Sequence, residues 1–193
     1  MMIIASFLLL NLNAQVILRI EPGLLLESNS NSLGLLLNIE PKVEASKNAV
    51  IGLRFGIATN PQKIRLNDNL PYFIDELNDN AVISFIPTYD YYFNTKRYRP
   101  YLGFGLGYYL FSNIDVSDRN NGSLEILEGS VKNQMGFLLR GGIEIGNIRY
   151  GLEYNFIPKA TINIRNKQSV GTIDNSYLGL FIGFKIGGKR LEE

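Results

Sequence analysis

The chain has 193 residues with nearly balanced charge, 19 lysines and arginines against 18 aspartates and glutamates. A balanced chain lacks the basic surface that binds nucleic acid, so we expect no nucleic-acid partner. Cysteine and histidine are both absent, which excludes a disulfide framework, a thiolate metal site and the commonest general base. We therefore expect one domain with no cofactor, no metal site and no catalytic residue.

The first 14 residues, MMIIASFLLLNLNA, are typical of the apolar segment and cleavage site of a secretory signal peptide. Cleavage after Ala14 would leave Gln15 as the first residue. The segment has no lysine or arginine before its apolar run, and the alternative is a buried first strand or helix. We predict a signal peptide at 1–14, a β domain at 15–187 and a short C-terminal tail at 188–193.

Eight later segments alternate large apolar residues with glycine or polar residues, which is the period of two that strands show. In the last segment, every second residue from Leu178 to Ile186 is large and apolar, whereas Gly179 and Gly183 lie on the other face. Three prolines, Pro22, Pro41 and Pro87, fall inside segments and predict bulges or bends. The predicted strands are 15–26, 33–43, 49–58, 81–93, 99–111, 132–146, 147–157 and 176–187.

The connections between these strands alternate in length. Those at 44–48, 94–98 and 146–147 are short, whereas 59–80, 112–131 and 158–175 are long and polar, with room for a short helical turn at 68–80. The connection at 27–32 is the exception, because it is brief where a long one is expected. Short turns at one end and long loops at the other are typical of an up-and-down antiparallel membrane barrel.

The apolar face must point outward if the strands form a barrel. Each strand offers about five large apolar residues, and the interior of an eight-stranded barrel is only just filled by side chains. Segments of about ten residues also match the tilted crossing of a bilayer. We therefore predict an all-β, eight-stranded antiparallel up-and-down transmembrane β-barrel with short periplasmic turns and longer extracellular loops. A soluble lipocalin-like barrel, with its apolar face inside, is the alternative.

Charged residues occupy the opposite, inward face. Since unpaired charges in a narrow lumen are costly, we expect these side chains to pair into a structural polar network, with Glu144 and Glu153 bonded to Arg140 and Arg149. A proton or ion path is the alternative. The predicted network comprises Arg19, Glu21, Glu40, Lys42, Arg54, Asp90, Arg140, Glu144, Arg149, Glu153 and Lys185.

Aromatic residues cluster near the strand ends, which is typical of the belts at the two membrane interfaces. The predicted periplasmic belt is Tyr89, Tyr91, Phe93, Tyr101, Tyr150 and Phe184, and the predicted outer belt is Tyr108, Tyr154 and Phe156.

With these strands, above all 99–111 and 176–187, the chain resembles the small eight-stranded outer-membrane β-barrels of Gram-negative bacteria, the OmpA-barrel and OmpX type. The resemblance implies an outer-membrane location, contact with outer-membrane lipid, a monomer, and insertion by the barrel-insertion machinery. Phe184-Lys185-Ile186 resembles the end of the last strand that this machinery reads, although Gly187 to Glu193 extends beyond it.

Enzymes built on outer-membrane barrels use histidine as a base, so their chemistry does not carry over to a chain without histidine. The expected function is a non-enzymatic structural or surface-interaction role through the long outer loops, with an unknown extracellular or periplasmic partner. A narrow pore or a secretion- or transport-accessory barrel is the alternative.

Overall fold

The computed structural model describes residues 16–27, 33–59, 63–66, 72–74, 81–112, 114–118, 125–164 and 169–187. The predicted signal peptide and C-terminal tail lie outside the described residues and remain predictions. Within these ranges, no helix is both long enough and apolar enough to cross a membrane.

Fourteen strands are described. In chain order they are β1 (Val16–Glu27), β2 (Leu33–Glu44), β3 (Ala49–Thr59), β4 (Lys63–Leu66), β5 (Tyr72–Ile74), β6 (Ala81–Tyr92), β7 (Tyr98–Phe111), β8 (Ile114–Asp118), β9 (Glu125–Val131), β10 (Gln134–Ile145), β11 (Ile148–Phe156), β12 (Ala160–Asn163), β13 (Ser169–Asp174) and β14 (Tyr177–Ile186).

Eight of these strands form a closed barrel in the order β1-β14-β11-β10-β7-β6-β3-β2. All neighbours are antiparallel, and the first strand pairs with the last through contacts such as Ile20 with Phe184. The predicted fold is confirmed, and each barrel strand ends within two residues of its predicted bounds. Closure leaves no free sheet edge, which a lipid environment requires.

The apolar parity of every barrel strand points outward. Along β14, Leu180 is 57% and Ile182 44% exposed, whereas Phe181 between them is 1% exposed. An exterior of leucine, isoleucine and aromatic side chains is stable only against lipid. The lipocalin-like alternative, which needs these side chains inside, is therefore wrong.

The prolines do not produce the predicted bulges. Ile20 faces Phe184 and Gly23 faces Phe181, so the register is the same on both sides of Pro22. The same holds around Pro41 and Pro87. A proline removes one hydrogen-bond donor, and the intact bonds on either side hold the strands in register.

The three long connections contain short strands, where the sequence predicted irregular loops. Six strands from these connections form a second sheet, the outer sheet, in the order β4-β13-β12-β9-β8-β5. The helical turn considered for 68–80 is contradicted at Tyr72–Ile74, which is β5, and the rest of that segment lies outside the described residues. The outer sheet has its own buried apolar cluster, formed by Val131, Ala160, Ile162, Ile164, Val170 and Ile173.

Candidate functional site: the charged barrel interior

Asp90 lies at the centre of the barrel interior. It accepts hydrogen bonds from the Lys42 ammonium, from Arg140 Nε at 2.9 Å and from Arg149 Nη1 at 2.9 Å. None of these four residues is more than 1% exposed. Because the four side chains come from β2, β6, β10 and β11, the carboxylate links four strands across the lumen.

Two further carboxylates complete this central layer. Arg140 donates to both oxygens of Glu40, at 2.7 and 2.9 Å, and Lys42 Nζ lies 3.2 Å from Glu40. The paired, fork-shaped contact is the strongest geometry between a guanidinium and a carboxylate. Glu21 lies 3.7 Å from Arg149 and 3.9 Å from Arg140 without a hydrogen bond to either. The central layer thus holds three cations and three anions.

The outer half of the lumen contains one ion pair followed by apolar side chains. Arg54 pairs with Glu153, Asn155 donates to Glu153 at 2.8 Å, and Tyr109 donates to Asn155 at 2.8 Å. Beyond them, the lumen is filled by a buried cluster that comprises Leu25, Leu36, Ala58, Val82, Ile86, Tyr109, Leu138, Ile157 and Tyr177.

At the periplasmic end, Glu144 is the single described carboxylate that bonds to the cations. Arg19 donates to it, Tyr92 donates its hydroxyl at 2.9 Å, and Arg99 Nη1 lies 3.6 Å away. The Arg99 guanidinium also lies 4.1 Å from the centroid of the Tyr92 ring, a cation–π distance. Lys185 is half-buried at the rim, and it forms no ion pair with any described residue.

Ten of the eleven predicted network residues are thus buried inside the barrel, and Lys185 lies at its edge. The predicted pairing of Glu144 and Glu153 with Arg140 and Arg149 is wrong. Arg140 faces Glu153 and Arg149 faces Glu144 in the strand register, yet each arginine bonds across the lumen to Asp90 instead. In so narrow a barrel, a long guanidinium side chain reaches past its neighbouring strand to strands two to four positions away. That the network serves structure alone stays a prediction.

The assignment of Tyr101 to the periplasmic aromatic belt is wrong, because its side chain lies inside the barrel. It is 3% exposed, and its ring lies 3.5 Å from the Arg149 guanidinium. The signal was available in the sequence, because Tyr101 has the same parity as the inward glycines Gly103 and Gly105. Sequence reasoning also missed Arg99 and Tyr92, which parity likewise places inside.

Glycines make room for these side chains. A Cβ atom at Gly103 would collide with Asp90 Oδ1, and one at Gly151 would collide with the Tyr101 hydroxyl and the Phe181 ring. The charged and aromatic groups of one strand therefore fit only because the facing strand has glycine. The inward glycines explain how an interior of this size holds several arginines.

The described part of the chain contains no group of three or more acidic, histidine or cysteine residues that could hold a metal ion. Each of the five buried carboxylates described above has a lysine or arginine nitrogen within 4.0 Å. The interior is thus a set of ion pairs, layered between an apolar outer plug and a charged periplasmic end.

A closed eight-stranded antiparallel barrel with an apolar exterior and a paired charged interior is the architecture of small outer-membrane barrels. The chain is an integral β-barrel protein of a Gram-negative outer membrane, and its predicted location is confirmed.

Two solved structures illustrate the likeness. Neisserial surface protein A has a TM-score of 0.51 and 16% sequence identity, over 89% of this chain and 96% of the other. The outer membrane protein OprG from Pseudomonas aeruginosa has a TM-score of 0.53 and 13% identity, over 90% of this chain and 96% of the other. At such identities, the likeness concerns the fold. No protein-family model and no curated protein matches the chain.

Proposed function

We propose that this barrel is a non-enzymatic surface-interaction protein whose outer sheet presents a binding surface to a partner outside the cell. The observation that carries the proposal is the outer sheet itself. Three separate connections contribute to it, and β4 and β5, from one connection, form its two ends. Loops that only join barrel strands have no need to pair with one another in this way.

The outer sheet favours binding because it is ordered before a partner arrives. Ala160, Ile162, Val170 and Ile173 are all fully buried, and with Val131 they form a packed core to which two of the three connections contribute. A surface held by such a core loses little conformational entropy on binding, which favours affinity for a given contact area. Disordered loops would have to meet that entropic cost at each encounter.

A non-enzymatic role is supported by the commitment of the buried carboxylates to arginine and lysine. A general acid or base needs a proton-transfer partner in a substrate, whereas these groups contact cations of the same chain. The described interior favours a closed barrel over the pore alternative, because Leu25, Leu36 and Leu138 fill the lumen with at most 3% exposure.

The proposal includes a monomer, since the closed barrel offers no edge for strand exchange. It also includes recognition of β14 by the barrel-insertion machinery, with Phe184 near the end of that strand.

The experiment compares two neighbouring substitutions on β12. Ile162→Asp places a charge in the buried cluster of the outer sheet, whereas Thr161→Asp adds the same charge at an exposed position. Vesicles containing wild type or either variant are applied to an array of extracellular-matrix proteins and surface glycans. Heat-modifiable gel migration verifies that each barrel has assembled.

We expect wild type and Thr161→Asp to bind at least one arrayed ligand and Ile162→Asp to lose that binding with its barrel intact. Binding that survives unchanged in Ile162→Asp would refute a role for the ordered outer sheet. An array with no ligand for wild type would count against the proposed interaction role.

A further inference from the structure

We define the periplasmic mouth by Arg19, Arg99, Glu144 and Lys185, with Glu44 at the rim. Positive and negative charges balance in the central layer and in the outer half of the lumen, but not at the mouth. The central layer has three charges of each sign, and Arg54 balances Glu153. Among the described residues, the mouth has three cations against two carboxylates, of which only Glu144 bonds to an arginine. The surplus positive charge of the interior thus lies at this end.

Two of these cations lie side by side. Arg19 and Lys185 are register partners on β1 and β14, and like charges at facing positions repel. The charged groups that act on Lys185 are Glu144, Glu44, Arg19 and Arg99. An anion placed among the three cations would relieve this repulsion.

Two arginines at the mouth also carry donors without a partner. Arg19 is 2% exposed, and its Nε and Nη1 atoms have no hydrogen-bond partner. The Nε atom of Arg99 has no partner either. A buried guanidinium donor without an acceptor costs free energy, as it also does on Arg54 and Arg149 deeper in the lumen, but only at the mouth does such a donor lie beside surplus positive charge. Glu144 accepts from Arg19 and Tyr92 through Oε2, and none of the unpartnered nitrogens bonds to it.

The neighbouring turns add to the positive field. Asn48 donates to the Tyr92 carbonyl at 2.6 Å and accepts from the Tyr92 amide at 2.7 Å, so the turn at 45–48 is fixed against the end of β6. That turn and the next one carry exposed Lys47, Lys96 and Arg97. These three exposed side chains add positive charge at the same end of the barrel.

We propose that the periplasmic mouth is a binding site for a phosphate group, held by the partly exposed Arg99 and Lys185 and by the charge of the buried Arg19 beside them. A guanidinium group can donate two parallel hydrogen bonds to the oxygens of a phosphate. The negative charge of the phosphate would also neutralise the surplus positive charge of the mouth. The phosphate comes either from a phospholipid headgroup of the periplasmic leaflet or from a soluble anion. Exposed Phe93 and Tyr98 at this rim mark the headgroup level, which places a lipid phosphate within reach.

The first test is calorimetric titration of inorganic phosphate into the purified barrel in a zwitterionic detergent at low salt. Arg99→Gln and Lys185→Gln remove one cation each and leave the Arg19–Glu144 pair intact. The matched control is Lys159→Gln, which removes an exposed cation at the opposite end of the barrel. We expect about tenfold weaker binding for each mouth variant, no change for the control, and weaker binding as salt rises.

The second test distinguishes the two sources of phosphate. Native mass spectrometry counts short-chain phosphatidylglycerol and phosphatidylcholine molecules retained by the same four proteins. Retention of phosphatidylglycerol that falls in both mouth variants identifies a lipid headgroup, and phosphate binding without it identifies a soluble anion. The proposal is overturned if neither probe binds, or if the mouth variants bind as well as wild type and Lys159→Gln.

Discussion

Asp90→Asn tests whether the central layer behaves as one charge-balanced unit. The substitution keeps the size of the side chain and removes its negative charge. Three donors, from Lys42, Arg140 and Arg149, would then face an amide that has one oxygen and a donating nitrogen. Glu40 and Glu21 alone would oppose three buried cations.

The expected loss follows from the burial of this layer. Removing one member of a fully buried ion pair costs about 3–5 kcal/mol, since an uncompensated charge remains. With a urea dependence of about 2 kcal/mol per molar, the unfolding midpoint should fall by about 2 M. The effect is large because Asp90 is 0% exposed and water cannot replace it.

The assay is urea unfolding of the barrel in lipid vesicles, followed by circular dichroism and by the gel-mobility shift of the folded form. Tryptophan fluorescence is not an option, because the chain has no tryptophan. The matched control is the double variant Asp90→Asn with Lys42→Met, which restores two cations against two anions. We expect it to recover at least half of the lost stability.

Two results would contradict the reasoning. A fall of less than about 1 kcal/mol in the single variant would show that water or a rearranged partner neutralises the layer. A double variant as unstable as the sum of both single variants would show that the side chains act independently.

Three further predictions follow from the wall, the exterior and the lumen of the barrel. Gly142→Ala should lower the free energy of unfolding by about 1–3 kcal/mol in the urea assay, because its Cβ would collide with the backbone of Tyr150. Gly141→Ala is the control and should be nearly neutral, because its Cβ would lie 3.5 Å from the nearest atom. Ile182→Arg should cost about 2–4 kcal/mol in vesicle unfolding, since the side chain faces lipid. Planar bilayers containing wild type should show no steady ionic current, because Leu25 lies in the apolar layer that fills the lumen; an open-channel current would contradict that barrier.

The barrel could be predicted from the sequence because the alternation that defines each strand lies within that strand. Period-two alternation fixes which face of a strand meets lipid, and one register slip would reverse every side chain. Arg54 and Arg140 could be assigned to the lumen by parity alone. The same rule, applied without exception, would also have placed Tyr101 there, since it shares the parity of Gly103.

The partners of the charges could not be predicted, because they depend on positions across the barrel. Sequence neighbours suggested Arg149 with Glu144, and the strand register does place them side by side. Which acid a guanidinium reaches depends instead on strand tilt, on barrel width and on the glycines that open the path. None of these is visible within one strand.

The outer sheet was missed for a related reason. Its strands have three to seven residues, and they lie in segments rich in asparagine, aspartate and serine that are typical of loops. Apolar residues alternate in these segments, as at Ala160, Ile162 and Ile164, but two or three positions are too few to establish a period. Pairing of strands from different connections carries no local signal.

The two ends of the barrel differ in the side chains that fill them. At the outer end, apolar side chains from the barrel and from the outer sheet fill the space, and the unpartnered nitrogens of Arg54 lie beneath them beside Glu153. At the periplasmic mouth, guanidinium donors of Arg19 and Arg99 lack acceptors. If a phosphate group supplies those acceptors, the mouth is a ligand site within a barrel that stays closed, and binding at that end would proceed without any opening of the lumen.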